Sequence, residues 1–446
     1  MERNVLLQGD ALSLLKTLSD ASIQCCITSP PYYALRDYQT EPLLWDADPS
    51  CTHEWETILQ KDDHGDNGMN GSGLKGGLET QGQTRFEKRS AFCLRCGAWH
   101  GSLGLEPTPD LYISHLVQIF REVHRVLRKD GTLWVVIADS YAGSWGNYAP
   151  GGIKGIQRKR TEEGERWDRR AYSDTTFLPP SAKSSSMGLK DKDLIGIPWM
   201  LAFALRADGW YLRQDLIWNK PACMPESVLD RCTKSHEYIF LLAKSERYYY
   251  DTETIKEPAR NWGTRDRSHF RNGTNDPFLK HHGLTDSNSE ATGRNKRSVW
   301  TVNPHPYKEA HFATFPPKLV EPMILAGSSP RACEQCGAPW KRVIEPTGHM
   351  NHREAAHVPN NTPTKVDSTG WAPTRIATAN FQPTCSCKMN TGTGKCVVLD
   401  PFAGAGTTLL GASQFERDWV GIELNPTYVK LIQKRIAEVQ PVLWLE

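Results

Sequence analysis

Three short runs in this chain hold residues whose types and spacing suit chemistry. Asp400-Pro-Phe-Ala-Gly-Ala-Gly-Thr-Thr408 lies between the apolar stretch Cys396 to Leu399 and a helix-like segment from Thr407 to Gln414, so Gly404 and Gly406 let a ligand approach the backbone where the helix begins. Taken alone, such a turn serves equally well as a tight strand-to-helix connection. The next apolar stretch, from Trp419 to Ile422, ends in Glu423. That carboxylate falls roughly twenty residues beyond the glycines, where the hydroxyls of a ribose would need an acceptor pair. The third glycine of dinucleotide turns and the lysine of ATP-binding loops are both missing, which argues against nicotinamide cofactors and ATP.

The third run, Thr28-Ser-Pro-Pro-Tyr32, follows the apolar stretch Ile23 to Ile27. Two adjacent prolines cannot donate ladder hydrogen bonds, so the run reads as a rigid loop leaving a strand's carboxyl end. The exocyclic amine of a base is a poor nucleophile because its lone pair is delocalised into the ring. Alkylating it calls for acceptors on the amine hydrogens, a wall for stacking and exclusion of water. The Ser29 hydroxyl and the Pro30 carbonyl can be those acceptors and Tyr32 the wall. A Pro-Pro loop that merely ends a strand is the plainer alternative. Cys25 and Cys26 sit inside the apolar stretch and read as core, not as nucleophiles.

Two further sets have metal-ligand spacing. Cys333-x-x-Cys336 with Cys385-x-Cys387 supplies four soft ligands in two close pairs, the pattern of a zinc ribbon with a long loop between its knuckles. Cys51-x-His53 with Cys93-x-x-Cys96 forms a second set of three Cys and one His. Free surface thiols are the bland alternative for both. Either site would be closed and structural.

The elements that must position these residues alternate between strand and helix patterns: strand Asn4 to Leu7, helix Ala11 to Leu18, strand Ile23 to Ile27, helix Asp110 to Leu127 ended by Lys129-Asp-Gly131, and strand Leu133 to Ile137. Helix Pro198 to Asp208, strands Tyr211 to Trp218 and Tyr238 to Leu242, and a helix near Pro317 to Ala326 follow. The expected fold is α/β, with a doubly wound, mostly parallel sheet and two small zinc-ribbon-like insertions. The segments divide as core 1–47, a Cys/His insertion 48–104, core 105–250, a basic segment 251–300, core 301–329, a Cys-rich insertion 330–393, and core 394–446. At 446 residues, 39% hydrophobic and 23% charged, the chain suits a folded globular protein. The start, Met1 to Asp10, lacks the pattern of a secretory signal and no apolar run is long enough to span a membrane, so the cytoplasm is expected. In that compartment twelve cysteines point to metal ligands before disulfides.

Thr28-Ser-Pro-Pro-Tyr32 and Asp400 to Thr408 resemble the catalytic and cofactor motifs of the amino-methylating DNA methyltransferases. The catalytic motif comes first and the cofactor motif last, as in the circularly permuted beta group of that family. Gln8-Gly-Asp10, Arg125 to Gly131, Trp218-Asn-Lys-Pro221, Ser235-His-Glu-Tyr238 and His311 to Pro316 agree with it. The resemblance implies S-adenosylmethionine across the carboxyl ends of the sheet. Asp400, Pro401, Phe402, Gly404, Gly406 and Thr407 would then form the turn around its methionine part, with Glu423 on the ribose, Asp10 on the adenine amine, and Phe312 and Phe315 closing the pocket. It also implies direct methyl transfer to a flipped base held by Ser29, Pro30, Pro31 and Tyr32.

Serine at the first motif position is the form commonest among the family's cytosine-N4 enzymes, which favours cytosine over adenine-N6. Ser, Asn and Asp can all accept from an amine, so adenine stays open. Two further alternatives are methylation of an amine on protein or RNA, against which the permuted order speaks, and an inactive zinc-ribbon DNA-binding protein, against which the intact Ser29 to Tyr32 and Glu423 speak. Double-stranded DNA is the expected partner, and a homodimer and a cognate restriction endonuclease are compatible with the family. From Arg260 to Trp300 there are eight Lys or Arg against four acids, where the family keeps its target-reading region. Arg158 to Arg170 is a second basic strip, diluted by acids.

Overall fold

In the computed structural model, which describes residues 2–35, 40–61, 85–142, 189–258, 293–304, 315–352 and 371–438, short apolar runs become strands and apolar stripes of helical period become helices. In chain order the elements are β1 (Val5–Gln8), α1 (Ala11–Leu15), β2 (Ile23–Thr28), β3 (Leu43–Trp45), β4 (Trp55–Lys61), β5 (Arg85–Cys93), β6 (Trp99–Gly101), α2 (Pro109–Val126) and β7 (Leu127–Ile137). There follow α3 (Ile197–Ala207), β8 (Tyr211–Asn219), β9 (His236–Ala243), β10 (Val299–Thr301), α4 (Pro317–Gly327), β11 (Lys341–His352) and β12 (Trp371–Gln382). The chain closes with β13 (Val397–Asp400), α5 (Thr407–Gln414), β14 (Asp418–Glu423) and α6 (Pro426–Glu438). Two compact units result, one of Met1–Pro30, Gln118–Ala138 and Ala202–Glu446, the other of Pro31–Val117 and Asp139–Leu201.

The first unit is built on an eight-stranded sheet in the order β1-β14-β13-β2-β7-β9-β8-β10. Its ladders are parallel except for the two that β9 makes with β7 and β8. All of β2 is buried, as befits a strand covered on both faces. The chain leaving β2 returns as β7 on one side of it, while the chain leaving β13 returns as β14 on the other. The carboxyl ends of β2 and β13 therefore flank the point where strand order reverses, where open sheets of this kind bind ligands. The β11–β12 pair forms a separate antiparallel ribbon. The second unit carries a four-stranded sheet, β3-β6-β5-β4, antiparallel throughout.

Among the boundaries that differ from the sequence expectation, three bear on the packing of the core. Helix α1 ends at Leu15, short of Leu18. The long helix ends at Val126, and β7 begins at once, because Leu127 already pairs with Ile23. Arg128 to Gly131 form a bulge before regular pairing resumes at Thr132 opposite Cys25, and there the Arg128 guanidinium holds Asp130 at 2.9 Å. The basic segment expected to run to Trp300 gives up its last residues to the sheet. Val299–Thr301 pair with β8, and Trp300 is buried with its ring 6.2 Å from that of Trp134. Paired backbone bonds between Glu257 and Arg294, 2.9 and 2.8 Å, tie together the two ends of the segment between them. Most of that segment, including His269, His281 and His282, lies outside the described residues, as do Arg158 to Arg170.

Candidate active site

The site is assembled from strand ends of the core sheet. Thr28, the last residue of β2, donates its hydroxyl to Asp400 Oδ1 at 2.6 Å, and both residues are wholly inaccessible to solvent. Asp400 Oδ1 also accepts the Phe402 N–H at 3.1 Å, which folds the chain into the turn after β13. Its Oδ2 is buried and has no hydrogen-bond partner among the described residues. Burial pushes this carboxyl up to about 6, opposed by the hydrogen bond from Thr28. Ser29 and Pro30 leave the sheet at this same point.

The turn is shaped by two glycines in the left-handed region, Gly404 at φ 53° and Gly406 at φ 76°, a conformation that costs other residues energy. A Cβ on Gly404 would meet only the Phe402 carbonyl, at 3.9 Å, so its far side is open to a ligand. Thr407 opens α5 and is buried, as is Thr408, whose hydroxyl donates to Ile27 O at 3.3 Å on β2. Phe402 is half-buried and Pro401 buried.

Glu423 ends the neighbouring strand. Its Oε2 accepts the Gly404 N–H at 2.7 Å and its Oε1 the Asn425 N–H at 2.8 Å. Burial pushes it up to about 7 despite those two donors. Each oxygen keeps a second lone pair for a hydroxyl donor. Parallel pairing sets Gln8 opposite Glu423, and the Gly9 N–H donates to the Glu423 carbonyl at 3.0 Å. Asp10 follows directly and caps α1, accepting the Ser13 N–H at 2.8 Å. Asp10, Gly404 and Glu423 thus stand on one edge of the sheet, and an open glycine cradle beside an under-used carboxylate fits a ribose-bearing cofactor. Phe315 packs, partly buried, against the core cluster that includes Trp218 and Trp300. Phe312 lies outside the described residues.

Asn425 escaped the sequence reading. Its side chain accepts the Thr427 N–H at 2.9 Å and caps α6 while its backbone serves Glu423. An Asn directly before the helix-opening Pro426 was the available signal.

Both cysteine sets come together, each with all four ligand atoms within 4.8 Å of one another: Cys51, His53, Cys93 and Cys96 in the second unit, and Cys333, Cys336, Cys385 and Cys387 in the first. Their knuckles match. The Gly97 N–H donates to Cys93 O at 3.0 Å and the Gly337 N–H to Cys333 O at 2.8 Å. Cys51 Sγ lies 3.9 Å from Cys93 Sγ, close to the edge of about 3.8 Å expected for a tetrahedron with zinc–sulfur bonds of about 2.3 Å. Cys25 and Cys26 are wholly buried in the core, where burial pushes the Cys25 thiol up to about 12. That agrees with a packing role and not with a nucleophile.

An open, mostly parallel sheet with a glycine turn and an acidic strand end at its switch point defines an α/β protein of the S-adenosylmethionine-dependent methyltransferase type. Residues 23–333 and 386–434 match the N6/N4 methyltransferase family model, described as DNA methylase. The chain is 32% identical over 432 residues to the Type II methyltransferase M.Cfr9I of Citrobacter freundii, covering 97% of this chain and 87% of that one. To the Type II methyltransferase M.SmaI of Serratia marcescens it is 32% identical over 435 residues, 97% of this chain and 90% of the relative. Among solved structures, the PvuII DNA methyltransferase (cytosine-N4-specific) overlays with a TM-score of 0.44 at 13% identity, covering 99% of this chain and 89% of that one. This chain belongs to the N6/N4 DNA methylase family and is a DNA methyltransferase. Among the described residues no helix is long and apolar enough to cross a membrane.

Proposed function

We propose that this methyltransferase modifies the exocyclic N4 amine of cytosine in duplex DNA, with S-adenosylmethionine as donor and a flipped base held by Ser29, Pro30, Pro31 and Tyr32. The observation that carries this is Ser29 itself. It is the residue after Thr28, whose hydroxyl is bonded to the Asp400 that opens the cofactor turn, and serine is the cytosine-type residue at that motif position.

S-adenosylmethionine supplies an electrophilic methyl group on a sulfonium. Glu423 would hold the ribose hydroxyls, Asp10 the adenine amine, and the turn from Asp400, Pro401 and Phe402 through Gly404, Gly406 and Thr407 the methionine part, with Phe312 and Phe315 expected to close it. Ser29 Oγ and the Pro30 carbonyl accept the two amine hydrogens. This draws the nitrogen lone pair out of conjugation and stabilises the positive charge that grows on nitrogen as its bond to the methyl carbon forms and the methyl–sulfur bond breaks, leaving a neutral thioether; the nitrogen then gives up one of its hydrogens as a proton to solvent. Tyr32 stacks on the base and excludes water. Nothing in this scheme requires a covalent enzyme intermediate.

Both cysteine sets are read as closed structural zinc sites, on the strength of their soft donors and matched knuckles. A cognate restriction endonuclease, from whose cleavage the methyl mark would shield a site, is the partner this reading implies.

Mixed-sequence duplex DNA incubated with labelled S-adenosylmethionine, digested to nucleosides and read by mass spectrometry, tests the base assignment. N4-methylcytosine is expected. N6-methyladenine would overturn cytosine and keep the mechanism, while Ser29→Ala at parental rate would overturn the role of Ser29.

A further inference from the structure

The second unit encloses a polar cluster built at considerable cost. His115 on α2 is wholly buried, and both ring nitrogens face carboxylate oxygens, Nδ1 at 2.9 Å from Glu106 Oε1 and Nε2 at 3.1 Å from Asp46 Oδ2. Its ring stacks with the indoles of Trp45, at 4.5 Å, and Trp99, at 5.4 Å. Burying polar groups such as His115 and Glu106 is unfavourable unless each is hydrogen-bonded. Glu106 is fully engaged, because its second oxygen accepts the Gly104 N–H at 2.8 Å.

Gly104 is where this cluster meets the Pro-Pro loop. Its φ of +93° belongs to glycine, and a Cβ there would stand 3.2 Å from the Tyr32 carbonyl oxygen and 3.4 Å from Pro31 Cβ. The Gly104 carbonyl accepts the Ala34 N–H at 2.8 Å. From the other side comes Tyr112, one helical turn before His115 on α2. Its buried hydroxyl donates to the Pro31 carbonyl at 2.6 Å, and its ring lies 5.4 Å from that of Tyr33. Residues 31 to 34 are therefore held at the Pro31 carbonyl by Tyr112 of α2 and at the Ala34 N–H by Gly104, whose own N–H is held by Glu106, the partner of His115 on α2.

We infer that Tyr112 and the Glu106–His115 pair are positioning residues for methyl transfer: through Pro31 and Gly104 they set the backbone from which Tyr32 presents its ring to the flipped base. The inference rests on the role proposed above for Ser29 to Tyr32. It follows from the geometry that a small shift at Pro31 moves the stacking wall, and misplacement by about 1 Å can cost about a hundredfold in rate.

Tyr112→Phe deletes the hydroxyl alone and keeps the ring, so it is the variant of choice, with Gly104→Ala as a second and Tyr32→Ala as the control. For Tyr112→Phe and Gly104→Ala, kcat per folded enzyme should fall about tenfold or more. The KM for duplex DNA and the affinity for S-adenosylmethionine should stay within about twofold. If Tyr32→Ala abolishes turnover while Tyr112→Phe keeps parental kcat, the positioning role is overturned and the loop assignment stands. If Tyr32→Ala itself turns over normally, the loop assignment has failed and the positioning role goes with it. Loss of folded protein with unchanged kcat per folded molecule would also overturn it.

Discussion

Thr28 and Asp400 are joined by a 2.6 Å hydrogen bond across 372 residues of chain, both with no exposed surface. One ends the strand that leads to the Pro-Pro loop, and the other opens the glycine turn. The bond therefore joins, at the level of the sheet, the strand end that leads to the proposed base-holding loop to the start of the glycine turn.

Thr28→Val keeps the shape of the side chain and removes the donor, leaving a buried carboxylate oxygen short of a partner. The expected cost is about 1–3 kcal/mol of stability, read by denaturant unfolding of parent and variant. A change below a few tenths of a kcal/mol would mean that the bond is incidental.

Glu423 provides a pH signature. Its carboxyl is pushed up to about 7 by burial, above the ordinary value of about 4.3. An acid with a raised folded pKa is protonated in the native state while the unfolded chain has already ionised. Its contribution is therefore fully present below the unfolded value and is lost as pH rises towards the folded one. Without cofactor, stability should decline between about pH 4.3 and 7, with Asp400, pushed up to about 6, acting in the same direction. Glu423→Gln should flatten the part of that slope nearest neutrality in thermal melts across the range, and an identical slope in parent and variant would contradict the assignment.

Gly404→Ala separates strain from ligand contact. The new methyl group meets nothing in the free protein except the Phe402 carbonyl at 3.9 Å, so the stability cost should be confined to the left-handed backbone, about 1–2 kcal/mol. Affinity for S-adenosylmethionine, measured by calorimetry, should fall about tenfold or more if that open side receives the cofactor. Unchanged affinity would move the cofactor away from the turn.

Metal analysis of the purified protein should find two zinc ions per chain, one for each four-ligand set. Cys336→Ser and Cys96→Ser should each remove one. Chelation should lower the melting temperature by several degrees, because structural zinc contributes directly to folding. Trp99, stacked on His115, lies three residues after Cys96. Cys96→Ser should for that reason reduce turnover more than Cys336→Ser does.

The chemistry-bearing groups are legible in the sequence because each is local: a glycine turn after an apolar run, a Pro-Pro loop after another, and two Cys-x-x-Cys knuckles. Their types and short spacings determine turn geometry and ligand softness without reference to the rest of the chain, and alternating strand and helix periods determine the α/β class. Tertiary structure decided what local pattern cannot encode. It set β9 antiparallel in an otherwise parallel sheet, started β7 at Leu127 because Ile23 was there to pair with it, and drew Trp300 from a basic segment into the core. It also brought Thr28 to Asp400 and Tyr112 to Pro31. Hydrogen bonds between residues distant in sequence depend on strand order and register, which are chosen by the burial of whole faces, and no window of neighbouring residues carries that information.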